Sequence, residues 1–244
     1  GETLDPRQQS RLDALIARYT AKTAGSQRIA AENRATLADV RATAGFKLFI
    51  KEMLYPIVVE RSRDGHVVDV DGNDYVDVTM GFGVYLFGHK PAFLTAALAD
   101  QLERDVPLGP ENRDSGAVAR LMTEMAGVER VAFFNTGTEA VMTALRLVRA
   151  KSKRDRIVLF KGSYHGHADL TLAIGLGNGQ VAPLSGGVPA DTLRHLVILD
   201  YGDPEALRTI EAMADELAAV VVEPVQSRYP DRQPADFLRD LRRI

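Results

Sequence analysis

The stretch VAFFNTGTEAVMTALRLVRAKSKRDRIVLF, residues 131–160, decides the fold of this chain. It begins with a short apolar run, Val131–Phe134, and ends with another, Ile157–Phe160; apolar runs of this length are consistent with buried strands. Between them, residues 139–150 carry apolar side chains at helical spacing, namely Val141, Ala144, Leu145 and Val148. The stretch therefore predicts a strand, a helix with one apolar face and a second strand, which is the repeating unit of a parallel sheet.

The same alternation continues toward Ile244. Leu196–Leu199 and Ala218–Val222 are further apolar runs of strand length. Between them, Asp203 and Pro204 are typical of the start of a helix, which we expect to extend to about Leu217. The pattern predicts an α/β fold, with a parallel sheet covered by helices on both faces. Because the run at 218–222 is apolar throughout, it predicts a central strand.

Residues 1–45 have a different pattern. Asp5 and Pro6 predict the start of a helix, and a second, more polar helix is predicted from Ile29 to Thr43. The second helix has only a thin apolar stripe, which is typical of an arm or linker lying on a neighbour. We therefore expect residues 1–45 to form a helical linker.

The segment that follows predicts a small antiparallel meander. Strands are expected at 57–59, 67–68 and 75–78, and Asp71–Asn73 predicts a tight turn. A glycine-rich segment comes next, at 80–90. Two predicted helices, at about 91–105 and 112–126, then lead into the α/β region.

This organisation divides the chain into three parts. After the helical linker at 1–45, we expect a small N-terminal α+β segment at 46–110 and the larger α/β domain at 111–244. Residues 171–195 are too long for a simple connection between two strands and contain five glycines, which predicts a functional or mobile loop.

Composition excludes several classes of protein. The net charge is −3, so the chain lacks the basic surface that nucleic acid or an anionic membrane attracts. No apolar run is long enough to span a bilayer, and no signal peptide is recognisable. The chain has no cysteine, which excludes disulfides and thiolate chemistry within it. We therefore expect no nucleic-acid partner and no membrane partner, with a cytoplasmic location as the default.

The first candidate site is Asn135–Glu139, NTGTE, at the junction of a predicted strand and helix. The first N–H groups of a helix have no partner within the helix, and its dipole favours an anion there. Thr136 and Thr138 add hydroxyl groups, and Gly137 allows close approach of the backbone. The segment indicates a cup for phosphate or carboxylate, although Thr136 and Glu139 also fit a simple capping box.

The second candidate site is Gly162–Asp169, GSYHGHAD, directly after the next strand. Ligands of open parallel sheets bind beyond the carboxyl ends of the strands, so this loop and the threonine loop should face one crevice. Tyr164 and His165 there suit a flat, anionic ligand. A metal site built from His165, His167 and Asp169 is an alternative, although alternating positions on a loop need not converge.

The third candidate site is Glu223–Gln226, EPVQ, at the end of the last apolar run. A carboxylate at this end of a buried strand again points toward the crevice. The simpler alternative is a glutamate at the strand end that pairs with a surface arginine.

These three motifs together resemble a known family. Asn135–Arg146 (NTGTEAVMTALR), Arg156–Asp169 (RIVLFKGSYHGHAD) and Glu223–Gln226 closely resemble class III aminotransferases, which are fold-type I enzymes that use pyridoxal 5'-phosphate (PLP). The likeness is nearest to glutamate-1-semialdehyde aminomutase and covers about residues 50–244. Three segments look more particularly like aminotransferase domains embedded in polyketide or nonribosomal peptide assembly lines: KEMLYP at 51–56, MGFGVYLFG at 80–88 and EPVQSRYPD at 223–231.

The resemblance implies that five residues bind the cofactor. Thr136, Gly137 and Thr138 would hold the phosphate group of PLP, in agreement with the helix-terminus argument. Tyr164 would stack on the pyridine ring, and His165 would lie beside it.

Three further residues would lie around the cofactor or the substrate. The resemblance places Glu223 and Gln226 near the ring oxygen of PLP or near the substrate, and Tyr85 near the mouth of the site. The lysine that forms the Schiff base and the aspartate at the pyridine nitrogen are expected after Ile244, because no lysine of the chain stands in the matching context. The chain is therefore expected to be the first part of the PLP-binding domain and to be inactive alone.

The implied reaction is transfer of an amino group from an amino donor to a carbonyl acceptor, by a homodimer. One acceptor that the resemblance suggests is a β-ketoacyl thioester on a carrier protein. Two alternatives stay open: an isomerase like glutamate-1-semialdehyde 2,1-aminomutase, and a non-catalytic scaffold or docking module.

Overall fold

The computed structural model describes residues 4–38, 47–106, 109, 111–177 and 180–244. The chain divides into two compact units, Gly1–Asn112 and Arg113–Ile244. None of the helices in the described ranges has the length and apolar composition needed to cross a membrane.

The first unit contains helices and one antiparallel sheet. Its elements are α1 (Pro6–Lys22), α2 (Ala24–Asn33), β1 (Val59–Arg63), β2 (His66–Asp69), β3 (Asp74–Val76) and α3 (Ala92–Glu103). The three strands lie in the order β1-β2-β3, with Ser62 opposite Val67 and Val67 opposite Tyr75. The predicted meander is confirmed, although its first strand lies at Val59–Arg63 rather than at 57–59. α1 begins at the Asp5–Pro6 pair with a complete capping box.

The second predicted helix was wrong in position. It was expected at Ile29–Thr43, but α2 ends at Asn33, and residues 39–46 lie outside the described part. The start of α2 is set by the carboxylate of Asp71, in the β2–β3 turn, which accepts the N–H of Gly25 at 2.6 Å and of Ser26 at 3.2 Å. Such a cap comes from far along the chain, so the local pattern could not reveal it.

The β2–β3 turn is itself held by the buried carboxylate of Asp69, whose residue has no exposed surface. It accepts hydrogen bonds from the N–H of Asp71 at 3.0 Å, the N–H of Asn73 at 2.8 Å and the hydroxyl of Tyr75 at 2.9 Å. Burial acts to raise the pKa of Asp69, but these hydrogen bonds outweigh it and hold the pKa below its ordinary value. Burial and the bond to Asp69 raise the pKa of Tyr75 to about 12.

The second unit is built on a parallel sheet. Its elements are α4 (Ser115–Ala126), α5 (Gly137–Ser152), β4 (Arg156–Phe160), β5 (Ala173–Gly177), β6 (Gln180–Pro183), β7 (Leu196–Leu199), α6 (Pro204–Ala212), β8 (Leu217–Val220) and α7 (Ala235–Arg243). The parallel strands lie in the order β7-β4-β8, with Ile157 opposite Leu196 and Val158 opposite Val220.

Successive residues of β4 point to opposite faces of this sheet and form two cores. Ile157 packs in the core that contains Leu145 of α5, and Val158 packs in the core that contains Ile210 of α6 and Phe237 of α7. Both β4 side chains are fully buried. The predicted α/β fold, with helices on both faces of a parallel sheet, is confirmed.

Two predicted strands differ from the structure. Val131–Phe134 is not a strand and pairs with none of the described strands, and Phe133 and Phe134 are exposed. The apolar run at 218–222 was expected to be central, but β8 lies at the edge of the three described parallel strands.

The predicted loop at 171–195 contains regular structure. β5 and β6 form an antiparallel hairpin, which packs on β7. A methyl group at Gly175 would lie 3.0 Å from Cγ2 of Ile198, so the hairpin approaches β7 closely at this glycine. Because glycine has a low propensity for strands, the glycines of this segment predicted a loop. Packing against β7 stabilises the hairpin instead.

We expect Asp69→Ala to lower the free energy of unfolding by about 2–4 kcal/mol, because it leaves the donors of the β2–β3 turn without their buried acceptor. Denaturant unfolding of the purified protein measures the change. Asp74→Ala is the matched control in the same hairpin: Asp74 contacts His66 in an exposed pair, so its loss should cost below about 1 kcal/mol. Equal losses in the two variants would contradict the role of Asp69.

Candidate functional site

The N-terminus of α5 is capped by its own sequence. The hydroxyl of Thr136 accepts the N–H of Glu139 at 3.1 Å, and the carboxylate of Glu139 accepts the N–H of Thr136 at 3.0 Å. Thr136 and Glu139 therefore form the capping box that the sequence offered as an alternative. The hydroxyl and the N–H of Thr136 are both engaged by Glu139. An anion at this end of the helix would need other donors.

Those donors are the next two N–H groups. Within the described residues, the N–H groups of Gly137 and Thr138 donate to no protein acceptor. No heavy atom outside the neighbouring backbone lies within 4 Å of the position that a methyl group at Gly137 would occupy, so the space on that side of Gly137 is open. Capping and anion binding are therefore compatible at this terminus, because they use different N–H groups.

The loop that carries Tyr164 packs directly on this helix end. The N–H of His167 donates to the hydroxyl of Thr138 at 3.2 Å. Gly166 has a positive φ of 86°, and a methyl group there would lie 2.6 Å from Oγ1 of Thr138 and 2.8 Å from its Cα. Only glycine allows the loop to approach the helix this closely.

The same loop is held on its other side by Glu223. Oε2 of Glu223 accepts the N–H of Tyr164 at 3.1 Å, and Oε1 accepts the N–H of Ser227 at 2.8 Å. Burial acts to raise the pKa of Glu223, but the hydrogen bonds from Ser227 and Tyr164 and the nearby His165 outweigh it, and the pKa is lowered. The ionised carboxylate therefore stabilises the loop at neutral pH, and this contribution is lost as the pH falls through the lowered pKa.

His165 presents an imidazole that is neutral near pH 7. Burial lowers its pKa, and the carboxylate of Glu223 acts in the opposite direction without cancelling the effect. Its Nε2 atom is buried and has no hydrogen-bond partner among the described residues. A buried polar atom without a partner is costly, so a ligand that hydrogen-bonds to Nε2 would remove that cost.

Gln226 lies behind the loop. Its side chain is completely buried, and Nε2 donates to the backbone oxygen of Lys161 at 2.9 Å. Its Oε1 atom has no partner among the described residues. A methyl group at Gly162 would lie 3.1 Å from that oxygen and 2.7 Å from Cε2 of Tyr229, so Gly162 allows the close packing here.

The structure brings together seven of the eight residues predicted for the site. These are Thr136, Gly137, Thr138, Tyr164, His165, Glu223 and Gln226, all in the second unit. Tyr85 belongs to the first unit, where its ring lies 4.2 Å from the ring of His89. In the described part of the chain, no three His, Asp or Glu side chains are arranged to hold a metal ion. His165, His167 and Asp169 are no exception.

Sequence reasoning did not single out Lys161 or Arg228 as site residues. Both line a cavity of about 240 Å³ together with Tyr164 and His165. Arg228 stands two residues after the EPVQ motif, and this short distance is the one signal that could have indicated it.

Residues 50–244 match the sequence profile of the family described as aminotransferase class III. Among solved structures, an omega-transaminase from Sphaerobacter thermophilus is 30% identical, with a TM-score of 0.78, and the match covers 89% of this chain and 51% of that one. A glutamate-1-semialdehyde aminomutase from Pseudomonas aeruginosa is 26% identical, with a TM-score of 0.81, and the match covers 98% of this chain and 54% of that one.

A transaminase with PLP bound is also similar. It is 26% identical, with a TM-score of 0.79, and the match covers 91% of this chain and 52% of that one. The chain therefore spans about half the length of each of these solved structures.

We expect Gly166→Ala to lower the free energy of unfolding by about 2–4 kcal/mol, since it adds a methyl group at a positive φ and against Thr138. Urea unfolding of the full-length protein measures the loss. Gly186→Ala is the matched control, because Gly186 has open space around it and no positive φ. That variant should stay within about 0.5 kcal/mol of the original protein. A tolerated alanine at 166 would show that the loop does not need its contact with α5.

Proposed function

Since this chain belongs to the class III aminotransferases, we propose that it forms part of a PLP-dependent enzyme that transfers an amino group from an amino donor to a carbonyl acceptor. The observation that carries the proposal is the contact between the Tyr164 loop and the end of α5. The contact supports the proposal because the loop that carries Tyr164 and His165 meets the helix end whose first N–H groups are free among the described residues. Phosphate, a planar ring and ring substituents are the parts of PLP that such groups can bind.

The residues present fit this cofactor. Gly137 and Thr138 would bind the phosphate through their free N–H groups, with Thr136 fixing the helix end by its capping box. One face of the cofactor ring would stack on the ring of Tyr164. The residue is 54% exposed, so its ring is accessible to a ligand. Nε2 of His165, which has no partner among the described residues, would hydrogen-bond to the cofactor or the substrate.

PLP, when bound, supplies an electron-withdrawing ring that stabilises the charge left on the substrate when a proton is removed. The residues of this chain position that ring and control the charge around it. Glu223 stays ionised and fixes the backbone at Tyr164, so its carboxylate serves as an anchor. His165 stays neutral and adds no positive charge beside the ring.

From the sequence resemblance, the lysine that forms the Schiff base and the aspartate at the pyridine nitrogen are expected after Ile244. Activity is therefore proposed for the full-length protein, and the tests below use it. The division of the chain at 45 and at 110 stays a prediction.

Isomerisation of an amino aldehyde is the second candidate, and the match with the aminomutase over 98% of this chain favours it. Both reactions move an amino group with PLP, so they share the site described above. A carrier-bound β-ketoacyl acceptor, an assembly-line context and a cytoplasmic location are finer proposals, which rest on the sequence resemblance and the composition.

We also propose that the full-length protein is a homodimer. The support is an exposed apolar segment in the first unit, where Phe82, Val84, Leu86 and Phe87 are each at least 72% exposed. Apolar surface of this kind is typical of protein–protein contacts. Tyr85 lies in this segment, and its proposed place near the mouth of the site depends on how the dimer forms.

The test of function is an assay of the full-length protein with PLP. Amine transfer is measured by mass spectrometry with a ¹⁵N-labelled donor and an unlabelled carbonyl acceptor. Appearance of ¹⁵N in the product supports an aminotransferase, whereas rearrangement of an amino aldehyde with no label uptake supports an aminomutase. Absence of both reactions across a panel of donors and acceptors would favour the non-catalytic alternative.

We expect Tyr164→Ala to weaken PLP binding by about 2- to 13-fold, the equivalent of roughly 0.5–1.5 kcal/mol of ring stacking. Tyr164→Phe keeps the ring and should bind PLP as the original protein does. The dissociation constant is measured by titrating the cofactor-free full-length protein and following the absorbance of bound PLP. Unchanged affinity in Tyr164→Ala would remove Tyr164 from the proposed cofactor site.

A further inference from the structure

A single tyrosine joins the ends of two parallel strands. Tyr201 follows β7, and its hydroxyl donates to the backbone oxygen of Pro224, in the segment after β8, at 2.7 Å. In the strand order β7-β4-β8 these two strands are not neighbours, because β4 lies between them. Neighbouring strands lie about 4.8 Å apart, so this hydrogen bond connects strands that are roughly 10 Å apart.

The ring of Tyr201 is fixed by aromatic packing. Its centroid lies 5.5 Å from that of Phe160, the last residue of β4, and 5.7 Å from that of Phe237 in α7. The rings of Phe160 and Phe237 also contact each other, with centroids 5.6 Å apart. Burial raises the pKa of Tyr201, and the nearby carboxylate of Glu223 acts in the same direction. The hydroxyl therefore keeps its proton at neutral pH and donates it to the hydrogen bond.

Pro224 transmits the effect of this bond to Glu223. A proline ring fixes the φ angle of its own residue and restricts the residue before it to extended conformations. Holding the carbonyl of Pro224 therefore limits where the carboxylate of Glu223 can lie. That carboxylate accepts the N–H of Tyr164 at 3.1 Å, in the loop after β4. A hydroxyl group after β7 is thus linked to the loop that is proposed to bind the cofactor.

We propose that Tyr201 is a positioning residue of the candidate site, which acts through Glu223 to hold the Tyr164 loop in place. The inference rests on the proposed function, because it makes cofactor affinity depend on a side chain outside the site. Tyr201 is not among the described residues that line the cavity of about 240 Å³ beside Tyr164 and His165. Its hydroxyl is also engaged by the Pro224 carbonyl. Its influence on a ligand must therefore pass through other residues.

The experiment removes the hydroxyl and the carboxylate singly and together in the full-length protein. Tyr201→Phe keeps the ring and its packing but loses the hydrogen bond to the segment after β8. Glu223→Ala removes the acceptor that holds the loop. Tyr229→Phe is the matched control, because Tyr229 follows the same motif and contacts Arg232 through its ring, with no hydrogen bond from its hydroxyl to any described residue.

Two measurements are made on each variant. Hydrogen–deuterium exchange of the cofactor-free protein, read by mass spectrometry, follows the peptide that contains the N–H of Tyr164. A peptide that contains β2, in the first unit, is the internal control, because a general loss of stability would speed its exchange as well. Titration of the same preparations with PLP gives the dissociation constants.

We expect Tyr201→Phe to speed exchange at the N–H of Tyr164 and to weaken PLP binding, each by about 2- to 13-fold, as the loss of one hydrogen bond would give. Glu223→Ala should have a larger effect on both, because it removes the acceptor itself. Since Tyr201 acts through this carboxylate, the double variant should match Glu223→Ala within about twofold. Tyr229→Phe should match the original protein in both measurements.

Three results would overturn the inference. They are unchanged exchange at Tyr164 in Tyr201→Phe, unchanged PLP affinity of that variant when the original protein binds PLP, and effects that multiply in the double variant. Multiplied effects would show that the hydroxyl acts independently of the Glu223 carboxylate.

The exchange measurement needs no cofactor, so it separates this inference from the proposed function. Faster exchange at Tyr164 in Tyr201→Phe, with no further increase in the double variant and no PLP binding by the original protein, supports the positioning role and rejects the proposed function. PLP binding and amine transfer by the original protein, with unchanged exchange in Tyr201→Phe, reject the role of Tyr201 and leave the proposed function standing.

Discussion

The hydrogen bonds of the Glu223 carboxylate are the interaction on which the candidate site depends. One oxygen binds the N–H of Tyr164, and the other binds the N–H of Ser227, so a single side chain joins the loop after β4 to the segment after β8. The first loop also contacts the helix end at Thr138. The loop after β4 and the segment after β8 meet because these neighbouring parallel strands end at one edge of the sheet, and the hydrogen bond to Thr138 joins the end of α5 to them. Without the carboxylate, two backbone donors would lose their acceptor.

Charge within the site follows from the same arrangement. Because the anion at Glu223 is already bound by N–H groups, it stays ionised and does not take up a proton near neutral pH. Burial keeps His165 neutral although this anion is nearby. Within the part of the chain that the structure describes, the positive end of α5 and Arg228, which has no ion-pair partner there, can still attract anions. The described part of the site therefore carries uncompensated positive charge at two separate places.

The sequence predicted those parts of the fold that local patterns determine. The helical spacing of apolar residues predicted α5, continuous apolar runs predicted β4, β7 and β8, and capping residues predicted the starts of α1 and α6. The errors arose where distant contacts decide the structure. Asp71 sets the start of α2 from across the unit, the β5–β6 hairpin depends on packing against β7, and Val131–Phe134 has no described strand beside it.

For the site, the sequence predicted which motifs converge but not how their groups are used. The family resemblance placed Glu223 beside the cofactor or substrate, whereas the structure shows both its oxygens bound to backbone N–H groups. Gln226 is likewise buried and bonded to the backbone at Lys161. These backbone hydrogen bonds hold both side chains at the candidate site, and their place beside the cofactor or the substrate stays a prediction. Arg228 follows within two residues, and nothing in the described scaffold engages its guanidinium group. Membership of the family does not specify the amino donor, because substrate preference depends on individual side chains of a site rather than on the fold.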